Sequence, residues 1–237
     1  MVKNKTLQGL MVLMALLWSA SGAQARDLLQ DMQLDVFALG GGSTLVDAQY
    51  FQSADRTYHS RYDLGYKVNV GAAVPYGKLL SIEAAYSYGP NNLVVTNTNV
   101  FPHQGVVYPV RDYRGTISAV FHAPFSFRGL TPYGAGGAEL NRFQPTPAAI
   151  TTATNQGFAA VSTAAINGNN KFGLNLGGGL DRKFTKRLTF RLDVRDHVTG
   201  SPAFGLPNPQ SAAFFPVMGR ANNIEYTAGI VFHLGKL

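Results

Sequence analysis

Residues 64–74, Leu-Gly-Tyr-Lys-Val-Asn-Val-Gly-Ala-Ala-Val, alternate without a break. Leu64, Tyr66, Val68, Val70, Ala72 and Val74 fall on one side; Gly65, Lys67, Asn69, Gly71 and Ala73 fall on the other. Successive side chains of a strand point to opposite faces, so this segment is a strand with one apolar and one polar wall. Its ten steps of about 3.3 Å, tilted by about 40°, rise roughly 25 Å. That is the height of the lipid-facing band on a membrane-spanning β-barrel.

The same alternation recurs downstream. Leu80, Ile82, Ala84, Tyr86 and Tyr88 oppose Ser81, Glu83, Ala85 and Ser87. Tyr113, Ile117, Ala119 and Phe121 oppose Asp112, Arg114, Thr116 and Ser118. Phe172, Leu174, Leu176 and Leu180 oppose Gly173, Asn175, Gly177, Gly179 and Asp181. Leu188, Phe190, Leu192 and Val194 oppose Thr189, Arg191, Asp193 and Arg195. Ile224, Tyr226, Ala228, Ile230, Phe232 and Leu234 oppose Glu225, Thr227, Gly229 and His233. Residues 33–46 and 131–143 add two strands too rich in Gly and Ala for their faces to be assigned. The predicted fold is all-β, an eight-stranded antiparallel up-and-down transmembrane β-barrel. Its connections alternate between short (75–78, 124–130, 184–187) and long (47–60, 89–109, 144–170, 200–222). Short turns at one end and long loops at the other is the outer-membrane arrangement, with the turns and both termini on the periplasmic side. Within the third long loop, Gln156–Asn167 has the pattern of a short amphipathic helix.

The first 25 residues read as a signal peptide. Lys3 and Lys5 give a positive start, Leu10–Trp18 is a short apolar core, and Ala23-Gln24-Ala25 is a cleavage site. The apolar run is too short to span a bilayer as a helix. Residues 26–237 then form one barrel domain. No later segment is long and apolar enough for a spanning helix, and a closed barrel is the other spanning solution. Cys is absent, which excludes disulfides and thiolate metal sites. The formal charge of +7 becomes +5 without Lys3 and Lys5 and is spread along the chain. A nucleic-acid footprint would need a clustered patch, so the expected neighbours are outer-membrane lipid and lipopolysaccharide instead.

The apolar faces assigned above contain no Lys, Arg, Asp or Glu. The charged residues Lys67, Glu83, Arg114, Asp181, Arg191, Asp193, Arg195 and Glu225 fall on the other face, as a lumen charge network. A soluble ligand-carrying barrel has the opposite polarity. Tyr86, Tyr88, Tyr113 and Tyr226 are expected at the outer interface, and Phe121, Tyr133, Phe184 and Phe232 at the inner one. Buried charges persist only when paired, so Arg195 is expected to bridge Glu225, with Asp193 and Arg191 in the same network. Glu83 is expected to reach Asn69 or Ser118. An eight-stranded interior is just filled by side chains, which makes a largely plugged lumen the expectation.

On these strands the chain resembles the small eight-stranded outer-membrane barrels of the OmpA-like and OmpW-like families, over residues 33–237. The most specific element is the last strand. Thr227-Ala228-Gly229-Ile230-Val231-Phe232-His233-Leu234 matches their terminal polar-x-Gly-x-x-aromatic-x-hydrophobic signal, with Thr227, Gly229, Phe232 and Leu234 at the defining positions. The chain departs from the pattern in ending Leu234-Gly235-Lys236-Leu237 where those families end in Phe. The resemblance implies recognition by the outer-membrane assembly machinery and periplasmic chaperones, and residence in the outer membrane as a monomer. Cell-wall anchoring, which some members owe to a further domain, is not expected.

No catalytic set, cofactor site or metal site is evident. His59, His103, His122, His197 and His233 lack metal-ligand spacing, and the Gly-rich stretches lack the context of a phosphate loop. The expected role is non-enzymatic: envelope integrity and display of surface loops. The alternatives are a narrow channel for small apolar solutes, with Phe204, Phe214, Phe215 and Met218 at its mouth, and a lipid A-modifying enzyme using His197.

Overall fold

A computed structural model describes residues 33–45, 49–53, 56–97, 101–155, 169–200 and 220–234. The signal segment, the proposed helix at 156–167 and the aromatic residues of the last loop lie outside the described residues. The elements in order are β1 (Leu34–Leu45), β2 (Gln49–Ser53), β3 (Arg56–Tyr62), β4 (Gly65–Tyr76), β5 (Leu80–Asn97), β6 (Phe101–His122), β7 (Leu130–Pro145), α1 (Pro147–Asn155), β8 (Asn169–Lys183), β9 (Leu188–Gly200) and β10 (Arg220–Leu234).

Eight of these strands form the wall: β1, β4, β5, β6, β7, β8, β9 and β10, each antiparallel to the next. The wall closes because β1 also pairs with β10, from Leu34↔Leu234 to Leu45↔Asn223. Closure leaves the wall with no free edge. The stagger follows from the register. Cross-strand partners lead from Asp35 to Ala73, Glu83, Ser118, Gly137, Asn175, His197 and Asn223, and return to β1 at Leu45, ten residues further along. Eight strands with a shear of ten tilt by about 40° and enclose a cylinder of about 8 Å backbone radius. A lumen that narrow is filled by the side chains that point into it.

The two walls have the expected polarity. Leu176 is 72% exposed and Ile117 65%, whereas Lys67 and Arg114 are each 1% exposed. On the outer face the Tyr88 and Tyr113 rings meet at 5.2 Å, tilted by 43°, toward the long-loop end. Phe121, Phe184 and Phe232 are exposed toward the turn end. Tyr133 does not join them. Its ring is buried in the lumen against Val120 and Ala135. The cause is the face of β7, which the Gly and Ala residues around it concealed. One carboxylate departs from the rule on the outer wall. Asp196 is flanked by Leu176 and Ile224 on the neighbouring strands, and its Oδ1 is buried without a hydrogen-bond partner.

Two tracts expected to be loops are largely strand. Within 47–60, β2 and β3 form a hairpin that continues β1 and β4, and β3 pairs with β5 from Tyr58↔Asn97 to Tyr62↔Leu93. Within 89–109, β5 and β6 keep their ladder past the band, through Val94↔Val107 and Val95↔Val106. Cross-strand β-branched pairs sustain the ladder there. Above the membrane nothing imposes an inside–outside polarity, so the alternation fades while the pairing persists. Directly after β7, α1 spans Pro147–Asn155. The opposite end has tight turns. Gly77 and Gly129 take positive φ values of 70° and 78°, which non-glycine residues seldom adopt.

Candidate functional site

The lumen contains two ion clusters, one above the other. The one nearer the turns is built on Arg191 and Arg195, which β9 points inward. Arg191 grips both oxygens of Asp181 at 2.9 and 3.0 Å and reaches across the barrel to Glu83 at 2.8 Å. Its guanidinium also lies 4.7 Å from the Tyr133 ring centre and 5.9 Å from that of Phe37, within cation–π range of both. Arg195 holds the other oxygen of Glu83 at 2.7 Å and Asp193 at 3.0 Å. Tyr133 donates to Asp193 at 2.5 Å.

The second cluster is nearer the long loops. Arg114 donates to Glu225 at 2.8 Å, Asp112 at 3.0 Å and Asn141 at 2.8 Å. Lys67 shares Asp112, and Asn69 donates to Glu225. Asn141 donates to Glu139 at 3.0 Å, and His197 Nδ1 meets the other oxygen of Glu139. Each cluster thus holds two cations and three carboxylates, tied by charge-assisted hydrogen bonds, which are about twice as strong as neutral ones. The residual cavity between the clusters is about 20 Å³, lined by Asn69, Glu83, Ser87, Arg114, Arg195 and Glu225 among others. That is room for about one water molecule. Further out, Tyr108, Val110, Phe143 and Ala149 are buried. Burial pushes the Tyr108 phenol up to about 12, so it stays protonated.

The eight charged residues read as a lumen network all lie inside the barrel, but their pairing differs from the expectation. Arg195 and Glu225 are cross-strand neighbours, yet Arg195 turns to Glu83 and Glu225 is taken by Arg114. Glu83 bonds neither Asn69 nor Ser118; its partners are the two arginines. The reason is competition across the lumen. Arg114 reaches Glu225 from the far wall, and Arg195 is taken up by Asp193 on its own strand and by Glu83 on the opposite one. Asp112, Glu139, Asn141 and His197 were not recognised as members of the network. Asp112 was visible on the polar face of its strand, whereas the Gly-rich β7 hid the other face of Glu139 and Asn141.

A larger cavity, about 390 Å³, opens at the turn end of the barrel below Arg191. At its edge His122 meets Asp181 at 3.2 Å. On the other side Thr189 Oγ1, His233 and Asp35 line up, with Thr189 to His233 Nε2 at 2.8 Å and His233 Nδ1 to Asp35 at 2.7 Å. Hydroxyl, imidazole and carboxylate in that order resemble a nucleophile relay. Here Asp35 and His233 are register partners across the seam where the first and last strands meet. Thr189 is 2% exposed, which leaves little hydroxyl open to a carbonyl. The arrangement ties three strands at the closing seam. Of the terminal-strand signal, Thr227 is buried facing the lumen, whereas Phe232 and Leu234 are exposed on the outer wall.

A closed eight-stranded up-and-down barrel with an apolar wall and an ion-paired interior is the architecture of the small outer-membrane barrels. No family model and no curated protein matches the sequence. Among solved structures the chain is similar to Neisserial surface protein A, at 12% identity and a TM-score of 0.47, over 84% of this chain and 96% of that one. It is similar to the N-terminal β-barrel domain of Pseudomonas aeruginosa OprF, at 14% identity and a TM-score of 0.39, over 85% and 97% of the two chains. It is also similar to Ail, the attachment invasion locus protein of Yersinia pestis, at 9% identity and a TM-score of 0.43, over 86% and 99%. No activity, ligand or partner is carried over from these likenesses.

Proposed function

We propose that this chain is a non-enzymatic, monomeric outer-membrane protein that supports envelope integrity and holds its long hairpins and loops at the cell surface. The observation that carries the reading is the double ionic seal. Two clusters of paired charges cross the lumen, with a cavity of only about 20 Å³ between them. A hydrated ion would have to break several buried charge-assisted bonds to pass, and an apolar solute would have to displace charges it cannot solvate. This argues against the narrow channel for apolar solutes. At the outer end Arg142, the register partner of Tyr113, and Arg111, two residues further out, are exposed on the wall. They would face lipopolysaccharide phosphates. Recognition by the assembly machinery and its chaperones would run through Phe232 and Leu234, which the outer wall presents. Conductance across a planar bilayer tests the reading. The purified barrel is expected to pass no steady current; a stable unit conductance would overturn it. For the enzyme alternative, lipid A acylation is expected to be the same with the wild type, with Thr189→Ala and without the protein.

A further inference from the structure

Among the described residues, the exposed charges at the turn end of the barrel have one sign. They are Lys78, Arg128, Arg182, Lys183, Lys186 and Arg187, and none is acidic. The two carboxylates at that end, Asp35 and Asp181, are turned inward onto His233, His122 and Arg191. Four of the six cations flank the β8–β9 connection: Arg182 and Lys183 end β8, and Lys186 and Arg187 lie in the turn. That turn is ordered: Thr185 Oγ1 accepts from the Arg187 and Leu188 amides at 3.2 and 3.1 Å. Beside it, an open depression of about 430 Å³ is lined by Lys183, Phe184, Thr185 and Lys186. Phe184 is 61% exposed, packs edge-on against Phe190 at 6.4 Å, and carries the Arg182 guanidinium over its ring at 5.8 Å. The neighbouring turn adds a second observation. Arg128 takes a left-handed φ of 52° in a two-residue hairpin closed by Phe127 and Leu130. That position favours Asn or Gly, yet a cation occupies it, with the exposed Phe127 ring beneath at 5.2 Å.

We infer that the β8–β9 turn is a binding site for the phosphate of an anionic glycerophospholipid in the inner leaflet. The exposed rings fix the depth: Phe184 and Phe127 belong at head-group level, where aromatic side chains settle. Lys183, Lys186 and Arg187, which meet no carboxylate among the described residues, then stand at the height of the phosphates, and cations beside an anionic surface attract it. The preference is for phosphatidylglycerol over a zwitterionic lipid of the same chain length, because the net charge differs and the phosphate does not. The inference rests on the membrane-spanning reading above.

The chain's one Trp, Trp18, lies in the signal segment. Phe184→Trp therefore gives the mature protein a single indole beside the site. The protein is reconstituted in phosphatidylcholine vesicles, and its fluorescence is quenched by brominated phosphatidylglycerol or brominated phosphatidylcholine at equal mole fraction. The expected ratio of apparent association constants favours phosphatidylglycerol by at least about fivefold, the factor one cation near an anionic surface supplies. Adding Lys183→Gln, Lys186→Gln and Arg187→Gln should bring the ratio near one. Equal quenching by the two lipids overturns the inference, and so does a preference that survives the triple substitution. Displacement of the brominated lipid by soluble glycerol phosphate would mean a site for free phosphate, which also overturns it. Heat-dependent electrophoretic migration of the same samples separates the two levels. Protein that inserts but shows no preference removes only the lipid site; protein that never inserts removes the barrel reading as well.

Discussion

Arg114 shows most plainly how single residues hold this interior together. It is 1% exposed and joins Asp112, Glu225 and Asn141, side chains from three different strands. Arg114→Ala would leave two carboxylates short of a partner in a closed lumen. Breaking a buried pair in this way costs about 3–5 kcal/mol. Urea unfolding of the reconstituted protein should register that loss, whereas Arg187→Ala, at an exposed turn, should leave the midpoint unchanged. Asp196 is the reverse case. It puts a carboxylate with an unpartnered oxygen on the lipid-facing wall. A charge there costs less than the roughly 2–4 kcal/mol of a cation at the bilayer midplane, but it is a cost. Asp196→Leu should therefore raise stability, by about 1 kcal/mol on the same scale. A lowered midpoint would mean that Asp196 has a partner in the bilayer.

At the scale of strands, space on the two walls is unequal. A Cβ added at Gly137, which faces the lumen, would lie 2.0 Å from the Ile117 carbonyl oxygen and 2.6 Å from Ser118 Cα. Both are backbone atoms, so β6 and β7 would have to separate. At Gly134, on the outer wall, the nearest heavy atom is 4.0 Å away. Gly137→Ala should cost about 1–3 kcal/mol, as overpacking does. Gly134→Ala should be neutral or stabilise by roughly 0.5 kcal/mol, the entropic handicap of Gly within an element. Urea midpoints of the two variants check the contrast. The same small residues limited what could be read from sequence. In β4 and β10, long apolar side chains on one face against charges on the other give the strand, its faces and its length. In β1 and β7, runs such as Gly40-Gly41-Gly42 and Gly136-Gly137 carry no such contrast. There the pattern does not show that Tyr133 and Glu139 face the lumen. The hairpin extensions of β2, β3, β5 and β6 escaped notice because they stand outside the bilayer, where strand pairing needs no polarity pattern.

For the whole molecule, alternation in six strands, with two Gly-rich segments and the short–long spacing of the connections, gave the eight-stranded antiparallel wall and its apolar-out orientation. It also gave eight of the ten charged residues of the two clusters as the lumen network, leaving out Asp112 and Glu139. It could not give their partners. Periodicity fixes a face and a height, but Arg195 bonding Glu83 and not its strand neighbour Glu225 depends on which side chains meet across the lumen. That is a property of the closed cylinder, set by a register that no single strand encodes. The orientation is the claim on which the sealed lumen, the role at the envelope and the lipid site all depend. Because the chain has no Cys, it can be tested by introducing one Cys at a time along 64–74, attaching a nitroxide, and measuring collision with oxygen and with a water-soluble nickel complex in lipid vesicles. Labels at 64, 66, 68 and 70 should collide freely with oxygen, and labels at 65, 67, 69 and 71 should be shielded from both reagents. Strong nickel collision at 66, 68 and 70, or the absence of a period of two, would contradict a cylinder with lipid outside and paired charges within.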